Sequence, residues 1–149
     1  MTVPPLPLEA IEVGAHAKDW RAAVRQAGAA LNRAGFTTVH YADEMIRMIE
    51  EHGPYVVIAP GLALAHARPG SDVLSDGLAI VTLATPVDFG HPHNDPVSVV
   101  LGLAVTTADD HIAAVAELAN VFNDSQAIEH LAAATTAEEV RAIMGAVEL

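Results

Sequence analysis

Cysteine is absent from the sequence and basic residues are scarce, and both facts narrow the functions open to the chain. Without cysteine there are no disulfide bonds, no thiolate catalysis and no sulfur-ligated metal site. Seven Lys and Arg residues against nineteen Asp and Glu residues give a formal net charge of −12. This charge argues against binding to nucleic acid, whose phosphates need clustered basic side chains, and against binding to an anionic membrane surface. The negative charge is better suited to binding a basic patch on a partner protein.

Long apolar runs and nucleotide-binding motifs are missing as well. No segment has enough consecutive apolar residues to span a bilayer, and the N-terminus lacks the basic and then apolar regions of a signal peptide. There is no GxGxxG, GxxxxGKS/T or GxSxG segment, which are the marks of nucleotide-binding loops and of the serine-hydrolase elbow. We therefore expect a cytoplasmic protein without membrane insertion and without a bound cofactor.

At 149 residues the chain is long enough to bury one continuous core, and we expect a single domain over residues 1–149. Residues 1–10 form a proline-rich leader without periodicity, and after it strands and helices alternate. The apolar spacing predicts strands over residues 11–15, 55–59 with a continuation over 62–65, 77–83 and 97–105, and helices over 19–32, 41–51, 109–122, 125–133 and 137–147. Residues 68–76 and 85–96 contain Pro and Gly and are predicted to be surface loops. The pattern indicates the α/β fold class.

One segment, APGLALAHARPG over residues 59–70, places a histidine where it is able to react. Apolar residues lead to Pro60-Gly61, and a second apolar stretch then delivers His66, with Arg68 two residues later. The small residues around His66 leave its ring reachable by a large partner, so we expect an exposed site. An imidazole held in this way serves as a nucleophile, a proton shuttle or a metal ligand. A histidine that merely caps a turn at a strand end is the alternative interpretation.

A second histidine, His111, lies in the first turn of the helix predicted over residues 109–122. Catalytic and ligand-binding groups of α/β layers gather at strand ends and at the helix starts that follow them, so His66 and His111 are predicted to meet on one rim. The free N–H groups of a helix start also favour a phosphate. An exposed first-turn histidine without a role is the alternative. Four further histidines lie in predicted turns or polar faces and are assigned no chemistry: His16, His40, His52 and His130.

The segment His91-Pro92-His93-Asn94-Asp95 brings two histidines and an acid together in the sequence. Such a set could bind Zn²⁺ together with His66 or His111. However, the surrounding Pro and Gly predict a mobile loop, and no HExxH helix supports a metal site. We therefore expect no metal, and we expect His91 and His93 to shape the rim of the His66 site.

Three segments follow one another in an order and spacing that resemble a known family: GPYVVIAPGLALAHARPG over residues 53–70, PVDFGHPHNDPV over 86–97 and DDHIAAVAELANVF over 109–122. Together they resemble the enzyme IIA domains of the mannitol/fructose class of the phosphoenolpyruvate-dependent sugar phosphotransferase system. His66-Ala67-Arg68 with the preceding APG and the later HPxND is most similar to the ascorbate branch. The resemblance extends from about the first helix to the last.

The resemblance implies a phosphocarrier. Members of the family accept a phosphoryl group from the carrier protein HPr on one histidine and pass it to a cysteine of a cognate enzyme IIB, here for uptake of ascorbate or a related sugar. The family motif puts the phosphoacceptor at His66 and a second histidine, which stabilises the phosphoryl group, at His111. It also implies a mixed β-sheet flanked by α-helices. Gly61 and the alanines around His66 would keep the site shallow enough for two partner proteins in turn.

Two positions depart from the family pattern. A proline usually precedes the acceptor histidine, and this chain has Ala65 there. Mannitol and fructose members commonly carry an arginine on the helix before the central strand, and the corresponding residue here is Met48. Arg68 is a candidate to supply the missing positive charge. These departures favour the sugar-acid branch and leave the acceptor assignment unchanged.

Two other functions stay open at the level of sequence. A regulatory domain would use the same His66 chemistry to report sugar flux to a transcription factor or a transporter. A metal-dependent hydrolase would use His66, His91, His93 and His111 as ligands. The sugar, the phosphorylated ring nitrogen and the oligomeric state, with a homodimer as one option, also stay open.

Overall fold

Five strands form one mixed sheet in the computed structural model, which describes residues 4–123 and 125–148. The strands are β1 Ile11–Ala15, β2 Val57–Ala59, β3 Leu62–His66, β4 Gly77–Val87 and β5 Val97–Ala104, in the sheet order β1-β4-β5-β3-β2. The central strand β5 is antiparallel to β4 and parallel to β3, while β1 is parallel to β4 and β2 is antiparallel to β3. The predicted fold class, an α/β domain with a mixed sheet, is confirmed.

Helices cover both faces of this sheet. They are α1 Trp20–Arg33, α2 Tyr41–His52, α3 Ala108–Val121, α4 Ser125–Ala133 and α5 Ala137–Glu148, and a single 3-10 turn, Leu8–Ala10, precedes β1. Side chains of α1 and α2 pack with the alanines of β3, whereas α3, α4 and α5 pack with its leucines. The alternation Leu-Ala-Leu-Ala in β3 follows from this arrangement, because successive residues of a strand point to opposite faces.

The segment before His66 folds differently from the sequence prediction. Residues 55–59 and 62–65 were expected to continue one another, but the chain reverses at Pro60-Gly61 and β2 runs antiparallel to β3. Gly61 has φ +82°, a backbone conformation that favours glycine, so this residue permits the tight reversal. The sequence pattern of two apolar runs is the same for a straight strand and for a hairpin, and only the glycine distinguishes them.

Strand β4 is longer than predicted. It continues from Leu83 to Val87, and Val87 pairs with Val97 at the start of β5, so residues 85–87 belong to the sheet rather than to a loop. The three residues 84–86 are exposed, since the strand there extends beyond the helical layers. The apolar pattern therefore stops before the hydrogen-bonded strand does. The remaining helices and strands agree with the predicted ones to within about two residues, the usual uncertainty of such boundaries.

Candidate functional site

His66 is the last residue of β3, and the parallel partner strand β5 determines what lies next to it. His66 pairs with Leu103, one residue before β5 ends, and three residues separate that end from the start of α3. Thr107 begins this helix, since its side chain accepts a hydrogen bond from the Asp110 N–H at 3.1 Å. His111 follows in the first helical turn. Its ring centroid lies 5.1 Å from that of His66, so the predicted meeting of the two imidazoles is present in the structure.

The tautomer of His66 follows from a hydrogen bond within its own strand. The Nδ1 atom lies 2.7 Å from the Leu64 carbonyl oxygen. A carbonyl oxygen only accepts, so Nδ1 carries the proton and donates it. In the neutral ring the Nε2 atom is then unprotonated and keeps a lone pair. This is the form of imidazole that acts as a nucleophile.

Burial keeps the His66 ring in this neutral form. His66 is half-buried rather than exposed as expected, because the rings of Tyr55 and His111 pack against it, with centroids at 5.6 and 5.1 Å. Burial lowers the pKa of His66 below its ordinary value; the hydrogen bond to Leu64 acts in the opposite direction, and the neighbouring His111 lowers the pKa further. A nucleophilic lone pair is therefore available at neutral pH.

His111 carries a ring nitrogen without a hydrogen bond. Its Nδ1 atom is buried and finds no hydrogen-bond partner among the described residues. Burial also lowers the pKa of His111, so this second ring is held neutral as well. An unpartnered buried nitrogen costs free energy and is a frequent mark of a group kept for function rather than for stability.

A cavity of about 250 Å³ opens beside the two imidazoles. Its lining residues are Met48, His52, Tyr55, His66, Ala67, Arg68 and His111. Arg68 is exposed and forms no ion pair with any carboxylate in the part of the chain that the structure describes. Burial raises the pKa of Tyr55 while the charge of Arg68 lowers it, so the guanidinium acts electrostatically on the ring that packs against His66. The cavity thus combines a neutral nucleophile, a second imidazole and an unpaired cation.

Almost the entire sequence matches the model of one protein family. Residues 5–146 match the family model of the phosphoenolpyruvate-dependent sugar phosphotransferase system, EIIA 2. The chain is a member of this enzyme IIA family. It is accordingly a phosphotransferase component of a sugar phosphotransferase system, as the sequence resemblance indicated.

Individual relatives agree with the family assignment. The chain is 35% identical over 133 residues to the ascorbate-specific PTS system EIIA component of Escherichia coli strain K12, an alignment that covers 89% of this chain and 86% of that protein. The crystal structure of IIA mannitol from Escherichia coli superposes with a TM-score of 0.81 at 27% identity, over 94% of this chain and 99% of that one. A complex of enzyme IIAMTL with phosphorylated enzyme IIBMTL from Escherichia coli matches with a TM-score of 0.81 at 25% identity, over 95% and 99% of the two chains.

The loop with His91 and His93 lies at the other end of the strands in this enzyme IIA protein. The Gly61 N–H donates to the Asn94 carbonyl at 2.9 Å, so the loop contacts the start of β3. His66 is five residues further along, a distance of about 16 Å in an extended strand. The prediction that Gly61, His91 and His93 shape the rim of the His66 site is wrong in placement, because the chain reverses at Gly61 and enters β5 from that same end.

This loop is also held by specific hydrogen bonds, contrary to the expected mobile loop. The carboxylate of Asp95 accepts from the backbone N–H groups of three residues, Phe89, Gly90 and His91. The His91 Nδ1 atom accepts from the N–H groups of His93 and Asn94, at 3.1 and 3.0 Å. The Asp95 and His91 side chains therefore both form their hydrogen bonds within this turn. A hydrolase that uses His66, His91, His93 and His111 together is not supported, since the two histidine pairs are separated.

Two cavity residues were missed in the sequence. His52 was assigned no chemistry, yet it is the last residue of α2 and lines the cavity, and Tyr55 packs edge-on against His66 at an interplanar angle of 89°. Both flank Gly53-Pro54, the break that joins α2 to the segment leading to β2. Helix ends before such a break lie at the edge of the sheet, and this signal could have marked them.

The described residues show two further features relevant to the family role. No helix formed by residues 4–123 and 125–148 is long and apolar enough to cross a membrane. Within the same residues, no group of three or more His, Cys, Asp or Glu side chains is arranged to hold a metal ion.

Proposed function

We propose that His66 is the phosphoacceptor of this enzyme IIA, that HPr is its donor and that an enzyme IIB cysteine is its acceptor. The observation that carries the proposal is the 2.7 Å contact between His66 Nδ1 and the Leu64 carbonyl, which leaves Nε2 as the nucleophilic atom. The half-buried ring faces a cavity large enough for a phosphoryl group and bordered by His111 and Arg68. The assignment of Nε2 as the phosphorylated atom is part of the proposal.

The chemistry requires little beyond orientation and charge neutralisation. The Nε2 lone pair attacks the phosphorus of phospho-HPr in line, and the P–N bond of the donor breaks as the new P–N bond forms. One phosphoramidate replaces another, so the two states are close in energy. Positive charge develops on the His66 ring when Nε2 bonds to phosphorus, and the Leu64 carbonyl stabilises it by accepting a charge-assisted hydrogen bond from the Nδ1–H group. In the second transfer a cysteine thiolate of enzyme IIB attacks the same phosphorus, and the P–N bond to His66 breaks as the P–S bond forms, so Nε2 regains its lone pair.

His111 and Arg68 supply the neutralisation in this proposal. The phosphoryl oxygens carry negative charge throughout the transfer, and preorganised donors beside them lower the barrier. Arg68 takes the place of the arginine that other family members carry at the position of Met48. Its lack of a carboxylate partner within residues 4–123 and 125–148, and its electrostatic effect on Tyr55, support this substitution.

The sugar taken up is proposed from the relatives. The ascorbate-specific enzyme IIA of Escherichia coli is 35% identical to this chain. The sequence also carries Arg68 two residues after the acceptor, and it has Met48 at the position of α2 where mannitol and fructose members carry an arginine. We infer that the transported substrate is ascorbate or a related sugar acid, and that the protein works in the cytoplasm beside its transporter.

The decisive experiment is incubation with enzyme I, HPr and radiolabelled phosphoenolpyruvate, followed by mapping of the labelled residue. We expect label on His66 only, its loss in His66→Ala, and full labelling of His130→Ala, a matched variant at an exposed histidine of α4. Label that persists in His66→Ala would overturn the acceptor assignment.

A second stage separates transport from regulation. Added enzyme IIB of an ascorbate system should remove the label from the wild-type protein with formation of phosphocysteine. If the label stays on His66 with every enzyme IIB tested, the regulatory alternative replaces the transport role.

A further inference from the structure

One buried hydroxyl joins the two strands immediately beyond His66. Tyr41, the first residue of α2, is 1% exposed and its Oη atom lies between the ends of β3 and β5. The Ala67 N–H donates to this oxygen at 3.0 Å, and the hydroxyl donates to the Leu103 carbonyl oxygen at 2.8 Å. The Ala67 carbonyl lies further away, at 3.2 Å.

The bridge sits where the strand pairing stops. His66 is the last paired residue of β3, and its partner in β5 is Leu103, whose carbonyl oxygen accepts the hydrogen bond from the Tyr41 hydroxyl. Ala67 and Leu103 are both buried, so neither backbone group has water as a substitute. The phenol therefore fixes the backbone on the C-terminal side of His66, while the bond from Nδ1 to Leu64 fixes the ring on the N-terminal side.

The hydroxyl is suited to this double task at every relevant pH. Burial raises the pKa of Tyr41 to about 12, although the hydrogen bond with Ala67 acts in the opposite direction. The group therefore keeps its proton and serves as donor and acceptor at once. Tyr41 is 1% exposed, so we expect it to act on transfer indirectly, through the backbone beside His66 that its hydroxyl holds.

We propose that Tyr41 is the positioning residue of the phosphoacceptor: it holds the His66–Ala67 backbone against the end of β5 and thereby keeps Nε2 in line with the donor. This inference rests on the proposed function of His66. It extends the site from the cavity wall to the start of α2, on the other side of β3.

The test compares Tyr41→Phe with a matched variant, Thr82→Val. Thr82 is 2% exposed, and its Oγ1 accepts from the Gly14 N–H at 2.9 Å. Each variant therefore removes a buried hydroxyl that bonds to backbone, with little change in the shape of the side chain. Thr82 pairs with Val99, which also pairs with Leu62, so it lies at the opposite end of β3 from His66. The two variants are first brought to equal fractional folding by choice of temperature.

Three readouts are expected to separate the two variants. Tyr41→Phe should lower the maximal rate of transfer from phospho-HPr by about tenfold, which corresponds to a small misplacement of the nucleophile. The HPr concentration at half-maximal rate should not change. In the ¹⁵N spectrum of Tyr41→Phe, the Nδ1–H proton of His66 should exchange with water at least about tenfold faster than in the wild type. Thr82→Val should change none of the three.

Equal transfer rates and equal His66 exchange in Tyr41→Phe and the wild type would overturn the inference, as would equal effects of both variants. A rise in half-saturating HPr concentration without loss of maximal rate would also overturn it, because that result indicates docking. If the wild type accepts no label at all, the proposed function fails instead. The exchange of the His66 Nδ1–H proton would then still decide whether Tyr41 holds this ring.

Discussion

The two ends of the parallel pair β3–β5 each carry two neighbouring histidines. At the carboxyl end the ring centroids of His66 and His111 are 5.1 Å apart, and at the amino end those of His91 and His93 are 6.3 Å apart. In the loop, the His91 Nδ1 accepts two backbone N–H groups, so its lone pair is used within the turn. At the carboxyl end, the Leu64 carbonyl accepts the hydrogen bond, so His66 Nδ1 donates and the ring keeps a lone pair on Nε2. The two pairs differ in how their ring nitrogens are used, although each consists of two neighbouring histidines.

Removal of His111 should give the largest effect that this comparison predicts beyond the loss of His66 itself. Under the proposed function, His111→Ala removes a donor to the phosphoryl oxygens, a charge-assisted contact of about 1.5–3 kcal/mol. Transfer from phospho-HPr should slow by about one to two orders of magnitude, with the label still on His66. Rapid-quench measurement of the labelled protein gives the rate. His93→Ala, in the other pair, should transfer at the wild-type rate, and an equal slowing of both variants would remove the distinction between the two ends.

Arg68 sharpens the comparison, since it lines the cavity beside His66 and His111 and forms no ion pair within the described residues. Under the proposed function, Arg68→Ala should slow transfer by about tenfold, because it removes one positive charge beside the phosphoryl group. Adding Met48→Arg to this variant should restore much of the rate, as both positions line the same cavity. Arg25→Ala is the matched control, since Arg25 already pairs with Asp43 at 2.8 Å. A double variant as slow as Arg68→Ala would show that the charge at residue 48 does not substitute for it.

His91 should show the opposite profile, with an effect on stability and none on transfer. His91→Ala deletes the acceptor of two backbone hydrogen bonds and should lower the free energy of unfolding by about 1 kcal/mol, a fivefold change in the folding equilibrium. Urea unfolding of the variant measures this difference. His93→Ala serves as the control, because the backbone N–H groups of the turn bond to the His91 ring instead. Slower phosphorylation of His91→Ala at full folding would contradict a purely structural role.

The smallest expected effect is a pH dependence of stability that arises at the strand-end pair. The pKa values of His66 and His111 are lowered in the folded protein, so the unfolded chain binds more protons between these values and the ordinary value of about 6.5. Stability should therefore rise with pH through this window and become level above it. Unfolding of the wild type and of His66→Gln/His111→Gln, measured from about pH 5 to 7.5, tests this. The double variant should lose part of the slope, and an unchanged slope would assign it to other groups.

The sequence was sufficient to predict that His66 and His111 lie close together, and the reason is physical. One lies at the end of an apolar strand and the other in the first turn of the helix that follows a second apolar strand, and such ends share an edge whenever the strands are parallel. The pairing of β3 with β5 satisfies that condition. The same pairing places His91 at the opposite end of β3, because its loop precedes β5, and the apolar pattern alone does not show which strands are neighbours.

Tyr41 and Tyr55 mark a second limit of sequence reasoning. Both are aromatic residues at helix or loop positions, and each reads as an ordinary core or surface residue in isolation. Their relation to the site consists of one hydroxyl between two backbone groups and one ring edge against an imidazole. Contacts of this kind join residues that are more than ten positions apart in the chain, and no local periodicity encodes them.

The bond between His66 Nδ1 and Leu64 lies wholly inside β3, two residues apart. The ring is therefore set before any other protein arrives, and it presents a single atom outward. Under the proposed function, donor and recipient must take turns at that one atom, so each obstructs the other. An excess of unphosphorylated HPr should then compete with enzyme IIB for binding. The rate at which the two partner proteins exchange on this site would therefore limit turnover.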